Sequence, residues 1–308
     1  MTYRDALPQL DGDLLFLTDG GLETDLIFRR GIDLPHFAAC TLLLTGSGRA
    51  TLRDYYRDFA TLAIERGAGF ILDTVTWRAN PDWIRALGYP RDALDDLNRS
   101  AVDLAAGIRA EFRRPGTPIP IAGVVGPRGD GYRPGQLQSV DEAGSYHSAQ
   151  IEILADTAAD LVTALTITYP AEGAGIAIAA RELGMPVAIS FTVETDGRLA
   201  TGETLGQAID AVDELSDFWP AYYMVNCCHP SHLPAELETL DRVRGFRANA
   251  SALSHAQLDE SEQLDAGDPV ELGAQIRELR DRAPQVSIVG GCCGTDIRHL
   301  RRIAAATA

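Results

Sequence analysis

Residues 286–295 have the sequence Val-Ser-Ile-Val-Gly-Gly-Cys-Cys-Gly-Thr and lie close to the end of a chain of 308 residues. The apolar residues that open this stretch are typical of a short buried strand. The glycines that follow allow the backbone to turn tightly, and a helical pattern over residues 296–306 closes the chain. The stretch therefore predicts two neighbouring thiols, Cys292 and Cys293, at the carboxyl end of a strand.

A second pair of adjacent cysteines also follows an apolar run. Residues 221–225 lead into Asn226, Cys227, Cys228 and His229. Three thiolates from these two strand ends would form a three-ligand zinc site, and the open fourth position is typical of catalytic zinc. We expect Cys227 to be the third ligand and Cys228 to pack, with His229 as a competing ligand. One vicinal pair alone would suggest small buried hydrophobic residues, but two pairs at strand ends favour a metal site.

Strands and helices alternate along the whole chain. This regular alternation predicts a parallel sheet with helical crossovers. Eight such units at this length fit a (β/α)₈ TIM barrel that forms a single domain over residues 1–308. An open doubly wound sheet would carry a glycine-rich dinucleotide motif after an early strand, and Gly20 and Gly21 are not followed by that pattern. The predicted strands lie at residues 14–17, 70–72, 119–122, 160–166, 186–191, 222–226, 243–249 and 286–289.

Composition excludes several classes of partner. The formal net charge is -17 and the sequence pI is about 4.7, which argues against nucleic acid and anionic membranes as partners. The chain has no apolar run near the roughly 20 residues of a membrane span, and its first residues carry no signal-peptide pattern. Five cysteines that include two vicinal pairs make a poor disulfide framework. We therefore expect a reduced, cytoplasmic protein that acts on small molecules.

The predicted barrel brings polar residues from distant parts of the chain together. Loops that follow the strands of a barrel meet at one face, and Asp19, Thr74, Asn226 and both cysteine pairs follow predicted strands. Strands six and eight are separated by one neighbour, so their ends lie roughly 10 Å apart. Loop residues can span that distance to a shared ion.

A zinc ion held by three thiolates is suited to a particular reaction. The negative charge of the ligands makes it a weak electrophile toward water and favours a soft sulfur as fourth ligand. A substrate thiol loses its proton when it binds such an ion and remains nucleophilic. Hydrolytic zinc sites more often use histidine and carboxylate ligands. The three cysteines therefore indicate thiol alkylation rather than hydrolysis.

Six motifs resemble those of the homocysteine S-methyltransferase family, and together they extend over almost the whole chain. The resemblance implies a barrel, zinc on Cys227, Cys292 and Cys293, and methyl transfer to a thiol such as that of homocysteine, which would give methionine. It also implies an onium donor such as S-methylmethionine, S-adenosylmethionine or betaine. The motifs are residues 225–227, 290–295, 19–24, 74–77 and 123–127, together with Tyr146, His147 and Gln150.

One position departs from that family. The family usually ends its fourth strand with Glu-Thr, and this glutamate helps to hold the amino group of homocysteine, whereas Leu165 and Thr166 stand here. An apolar side chain cannot pair with an ammonium group, so Asp19, Glu23 or Glu172 would have to serve instead. The candidate substrate contacts are Asp19, Gly20, Gly21, Thr74, Thr76 and Asn226.

The same residues are also consistent with two other functions. The Leu165 substitution favours a zinc barrel enzyme that methylates a different thiol or a selenol. The cysteine pairs alone would also suit a non-catalytic metal-binding or redox-sensing protein.

Overall fold

The computed structural model describes residues 2–12 and 14–307. Its parallel strands form one sheet in the order β2-β1-β9-β8-β7-β6-β5-β4-β3. The strands are β1 (Phe16–Leu17), β2 (Gly69–Phe70), β3 (Leu72–Asp73), β4 (Ile121–Val125), β5 (Leu161–Ile167), β6 (Val187–Phe191), β7 (Tyr222–Cys228), β8 (Val243–Ala248) and β9 (Ile288–Gly291).

The sheet closes through β2 and β3, which are two parts of one extended stretch. The Ile71 amide between them donates a hydrogen bond to the Leu17 carbonyl at 2.9 Å, and the Leu72 amide donates to the Pro120 carbonyl at 2.9 Å. Successive amides of this stretch therefore bond to opposite neighbours, which joins the two edges of the sheet. The predicted eight-stranded (β/α)₈ barrel is confirmed, with its second strand divided at Ile71.

Helices surround the barrel between successive strands. Ser139, Thr204, Ser254 and Asp296 begin four of them with reciprocal capping boxes. The connection between β7 and β8 contains a 3₁₀ helix, Ala235–Thr239, as is common for short segments. The α-helices are α1 (Leu22–Thr24), α2 (Gly46–Arg66), α3 (Pro81–Ala86), α4 (Ala93–Phe112), α5 (Val140–Ala155), α6 (Pro170–Glu182), α7 (Leu205–Ser216), α8 (His255–Asp259), α9 (Pro269–Arg282) and α10 (Ile297–Ala306).

The amino-terminal end of the barrel is filled by side chains. Phe16, Leu161 and Tyr222, each the first residue of its strand, belong to one buried apolar cluster. Leu7, from the segment before β1, packs into the same cluster. The opposite end, where the strands finish, is therefore the one available for a site. None of the helices in the described part of the chain is long and apolar enough to cross a membrane.

The glycines of the C-terminal motif do not act as predicted. Gly290 and Gly291 lie within β9, and a Cβ atom on either would overlap a hydroxyl group, that of Thr18 or of Thr295 respectively. Gly294 instead makes the turn, with a φ of 80°. The first two glycines are therefore needed for close approach of neighbouring chain segments, and tight turning rests on the third.

Candidate functional site

The barrel brings three cysteine sulfurs together at the carboxyl ends of β7 and β9. The Sγ atoms of Cys227, Cys292 and Cys293 all lie within 4.8 Å of one another, and those of Cys227 and Cys293 are 3.6 Å apart. Cys228 packs in the hydrophobic core instead. The Nδ1 atom of His229 lies 2.7 Å from the Ser231 hydroxyl. The structure thus groups the expected three thiols and leaves Cys228 and His229 outside the group.

The backbone at Cys227 explains why its side chain and that of Cys228 diverge. Cys227 has a φ of 59°, in the left-handed region, and the pairing of β7 with β8 shifts register between Asn226 and Cys228. A non-glycine residue in this conformation costs roughly 1–2 kcal/mol. Hydrogen bonds to the Cys227 carbonyl offset that cost, because Asn249 Nδ2 donates to it at 2.9 Å and His255 Nε2 at 2.8 Å.

The three thiols do not share negative charge equally. Hydrogen bonds from Cys227 and then Cys293 hold the pKa of Cys292 well below its ordinary value, and the positive charge of Arg247 acts in the same direction. The hydrogen bond with Cys292 raises the pKa of Cys227 well above its ordinary value. Negative charge is therefore favoured at Cys292, and a metal ion that bound all three sulfurs would require each thiol to lose its proton.

Tyr132 contacts the sulfurs, although no sequence motif pointed to it. Its hydroxyl lies 3.1 Å from Cys227 Sγ and donates to Cys293 Sγ at 3.5 Å. Burial raises the pKa of Tyr132 well above its ordinary value, so the hydroxyl remains a donor. Its ring stacks on His255 with the ring centroids 4.0 Å apart, and His255 Nδ1 lies 3.1 Å from Glu194 Oε1. Tyr132 and His255 thus both contact Cys227, the first at its sulfur and the second at its carbonyl oxygen.

Asn226 ties strand ends together beside the cysteines. Its Oδ1 atom accepts hydrogen bonds from the Thr166 amide at 2.9 Å and from the Ser190 hydroxyl at 2.7 Å. Its Nδ2 atom donates to Thr166 Oγ1 at 3.0 Å and reaches Cys292 Sγ at 3.9 Å. Protein groups therefore hold the Asn226 amide beside the sulfurs, and because Asn226 also lines the cavity, its contact with substrate stays a prediction.

The two predicted threonines occupy different places. The hydroxyls of Thr74 and Thr76 are 2.7 Å apart. The Thr76 hydroxyl donates to the Val124 carbonyl at 2.6 Å, and the Thr74 hydroxyl accepts from the Val124 amide at 2.9 Å. Thr74 lines the cavity above the cysteines, whereas Thr76 is fully buried behind that wall. Of the two, only Thr74 stands where a ligand can reach it.

Gly20 and Gly21 also line this cavity, but their absent side chains have a packing reason. A Cβ atom on Gly21 would lie 2.5 Å from the Cys292 carbonyl oxygen, and one on Gly20 would lie 3.0 Å from the Thr295 carbonyl oxygen. The Gly21 amide donates to the Thr295 carbonyl at 3.1 Å. The loop after β1 is thus held against the loop that carries the thiols.

Asp19 shares a buried arginine with Asp73. Arg247 Nη2 lies 2.5 Å from Asp19 Oδ1, Arg247 Nη1 pairs with Asp73, and Arg247 Nε donates to the Gly291 carbonyl at 3.1 Å. Burial raises the pKa of Asp19 to about 7 despite the opposing effect of Arg247. A substrate ammonium group would therefore compete with Arg247 for Asp19. Sequence reasoning missed this arginine because its partners lie far away in the chain.

The other two carboxyl groups considered for the ammonium differ in location. Glu23 lines the same cavity as the thiols, and burial raises its pKa to about 7. Glu172 accepts a hydrogen bond from the Arg128 amide at 2.8 Å, lies 3.0 Å from His147 Nε2 and lines a separate cavity. Leu165 stands in the wall of the thiol cavity. Glu23 is therefore the alternative acid that reaches the site.

The cavity above the cysteines has a volume of about 640 Å³, which suits a small-molecule ligand. Its wall carries more carboxyl groups than cationic groups. The carboxyl groups are Asp19, Glu23, Asp73, Asp130, Asp259 and Asp265, and the cationic side chains are Arg78 and Arg247.

Comparisons with known proteins agree with this architecture. The sequence profile described as homocysteine S-methyltransferase matches residues 16–307. Homocysteine S-methyltransferase 4 of Zea mays is 24% identical over 314 residues, which cover 94% of this chain and 88% of the maize protein. The homocysteine methyltransferase MmuM from Escherichia coli has the same fold: its oxidized form gives a TM-score of 0.77 at 21% identity and covers 99% of both chains. The metallated form of MmuM gives a TM-score of 0.75 at 21% identity, and the match covers 98% of this chain and 99% of the MmuM chain.

Proposed function

Because this chain belongs to the homocysteine S-methyltransferase family and is therefore an S-methyltransferase, we propose that it transfers a methyl group from an onium donor to the thiol of homocysteine and releases methionine. The observation that carries this proposal is the group of three cysteine sulfurs within 4.8 Å of one another beneath the cavity.

The donor set fits zinc. Thiolates are preferred ligands of zinc, and three of them leave one position open. When bound by Cys227, Cys292 and Cys293, zinc would supply a soft Lewis acid that lowers the pKa of a substrate thiol and leaves its sulfur nucleophilic.

Residues around the cysteines have clear supporting tasks in this proposal. Asn249 and His255 hold the Cys227 carbonyl, so they fix the backbone that aims its sulfur. Tyr132 donates a hydrogen bond to Cys293 Sγ, and its hydroxyl lies 3.1 Å from Cys227 Sγ. Arg247 brings positive charge near Cys292 and favours its thiolate. These contacts orient the thiols before a substrate arrives.

The methyl donor binds in the same cavity. The carboxyl groups of the wall favour a sulfonium or quaternary ammonium group. The acceptor sulfur attacks the methyl carbon in line, a new carbon–sulfur bond forms, and the leaving group departs with the electrons of the broken bond. The main contribution of the protein is to hold the two reactants in this alignment. Arg78 already lies over the Trp77 ring at 4.6 Å, so that ring face is not free for the donor.

The test uses freshly reduced protein and measures zinc content and methyl transfer on the same sample. We expect one zinc per chain, and methionine from homocysteine with S-methylmethionine, S-adenosylmethionine or betaine. Substitution Cys292→Ala should abolish zinc binding and turnover together. Turnover by metal-free protein would overturn the mechanism.

A second candidate is methylation of a different thiol or of a selenol. It is favoured by Leu165 in the cavity wall and by the Arg247–Asp19 ion pair, which together leave fewer groups for an ammonium. One zinc without homocysteine turnover, combined with turnover of a thiol that lacks an amino group, would support this candidate.

A further inference from the structure

Arg78 follows β3 and lines the cavity above the cysteines. Its guanidinium carbon lies 3.8 Å from the ring centroid of Trp83 and 4.6 Å from that of Trp77. Stacking on two aromatic rings restricts the orientation of the guanidinium group. Arg78 is thus a fixed cation in the wall of the substrate cavity.

This cation has no protein partner among residues 2–12 and 14–307. Its Nε and Nη1 atoms are buried without a hydrogen bond, and no carboxylate forms an ion pair with it. The other arginines stacked on aromatic rings are each paired with an aspartate: Arg128 with Asp82 at 2.9 Å, Arg30 with Asp25 at 2.7 Å, and Arg242 with Asp213. A partly buried cation without a partner is costly, so a ligand anion is the natural complement of Arg78.

Contacts connect Arg78 to the cysteine cluster. Trp77, which stacks on it, donates from Nε1 to the Leu165 carbonyl at 3.3 Å. The neighbouring Thr166 bonds to Asn226, which reaches Cys292. All five residues from Trp77 to Cys292 in this path line the same cavity. A ligand whose sulfur lies at the cysteines can therefore extend toward Arg78.

The charge of the wall limits which anion can bind. Burial lowers the pKa of Arg78, and the negative charges of Asp130 and Glu23 oppose this effect, but neither carboxylate pairs with it. Asp130 Oδ1 instead accepts hydrogen bonds from the backbone amides of Tyr132 and Arg133. Of the two arginines in the wall, only Arg78 is without a carboxylate partner in the described residues, and one free cation among several carboxyl groups favours a monoanion over a phosphate. A carboxylate fits the planar fork of a guanidinium group.

We propose that Arg78 binds the carboxylate of a substrate in this cavity. The proposal rests on the proposed function and names the group by which the site selects an amino-acid thiol or its sulfonium donor. The carboxylate, rather than the ammonium group, is then the main charged determinant, because Leu165 is apolar and Asp19 already pairs with Arg247.

The first experiment is isothermal titration calorimetry on reduced, zinc-loaded protein with two matched pairs of compounds. The acceptor pair is homocysteine and 3-aminopropane-1-thiol, which lacks only the carboxylate. The donor pair is S-methylmethionine and (3-aminopropyl)dimethylsulfonium. We expect the carboxylate compound of one pair to bind roughly tenfold to hundredfold more tightly. The pair that shows this difference identifies the substrate held by Arg78, and equal affinities within both pairs would overturn the proposal.

The second experiment repeats these titrations with Arg78→Met, which should remove the preference while the zinc content stays at one per chain. Arg78→Lys should restore part of it. Arg128→Met is the matched control, because Arg128 also stacks on a ring but pairs with Asp82, and it should keep the full preference. A carboxylate preference that survives in Arg78→Met refutes the role of Arg78 even if methyl transfer proceeds. A preference that depends on Arg78 in a protein that transfers no methyl group supports this role and refutes the proposed function.

Discussion

The two cysteine pairs lie at the ends of β7 and β9, but the backbone presents them differently. In the first pair, a left-handed Cys227 faces the cavity while Cys228 packs in the core. In the second pair, both thiols line the cavity, and Cys293 and Gly294 form the centre of a turn that is closed by a hydrogen bond from the Thr295 amide to the Cys292 carbonyl at 3.1 Å. The same dipeptide therefore supplies one thiol in one place and two in the other. Backbone conformation, and not residue type, decides which thiols enter the site.

The largest expected effect separates the two members of the first pair. Cys227→Ala should abolish zinc binding, because only two thiols of the cluster would remain. Cys228→Ala should retain one zinc per chain and lower the free energy of unfolding by about 1 kcal/mol, as expected for a small buried side chain. Atomic absorption on reduced, dialysed protein measures the difference. Equal zinc loss in both variants would contradict the assignment of Cys227 as a zinc ligand and Cys228 as a packing residue.

A smaller effect is expected from the support of the Cys227 backbone. His255→Ala removes a donor to the Cys227 carbonyl and the ring on which Tyr132 stacks. We expect zinc affinity to fall roughly tenfold to hundredfold, as is usual for groups that orient metal ligands. Competition with a chromogenic chelator measures it. His232→Ala is the matched control, since His232 bonds to the Ala252 carbonyl and does not line the cavity, and the zinc affinity of this variant should match that of the unsubstituted protein.

The position of the second cysteine pair depends on the close approach of Thr295 to Gly291. Gly291→Ala places a methyl group against Thr295 and should lower the free energy of unfolding by roughly 1–3 kcal/mol. Gly46→Ala, at the start of α2, is the control because a Cβ atom there meets no neighbour within 4 Å. Urea unfolding monitored by circular dichroism compares the two. Equal stability of both variants would contradict the packing role assigned to β9.

The smallest effect concerns the helix that follows the second pair. The side chains of His299 and Arg298 outweigh burial and lower the pKa of Asp296, the N-cap of α10. A carboxyl group whose pKa is lower in the folded state stabilises the protein above its unfolded pKa of about 3.9. Asp296→Asn should therefore cost about 1 kcal/mol at pH 7, and this difference should shrink as the pH falls below about 4. Unfolding curves of both proteins at several pH values measure this difference in the free energy of unfolding. A difference that grows in acid would contradict the lowered pKa of Asp296.

The barrel could be predicted from the sequence because its signals are local. Apolar runs and helical periodicity recur along the chain, and each predicted run contains a strand or part of one. The division of the second strand at Ile71 could not be predicted, since it depends on hydrogen bonds to two different neighbours. The role of Gly290 and Gly291 was assigned wrongly because a glycine serves tight turns and close approach equally well. Only the position of Thr18 and Thr295 distinguishes the two roles.

The candidate site could be predicted only in part. The grouping of Cys227, Cys292 and Cys293 was expected because each follows an apolar run. Tyr132, Arg247 and Arg78 were missed because nothing beside them in the chain marks their function. Arg247, for example, is 228 positions from Asp19, and Tyr132 is 95 positions from Cys227. Such partners meet only once the barrel has closed.

The stacking around Arg78 gives this protein a built-in optical reporter. Two of its three tryptophans, Trp77 and Trp83, flank that guanidinium in the cavity wall. The third, Trp219, donates from its indole to the Met185 carbonyl and does not line the cavity. Indole emission is sensitive to a nearby charge. We therefore expect occupation of the cavity to change the fluorescence of Trp77 and Trp83, while that of Trp219 stays constant. Ligand binding to the unlabelled protein can therefore be followed in real time.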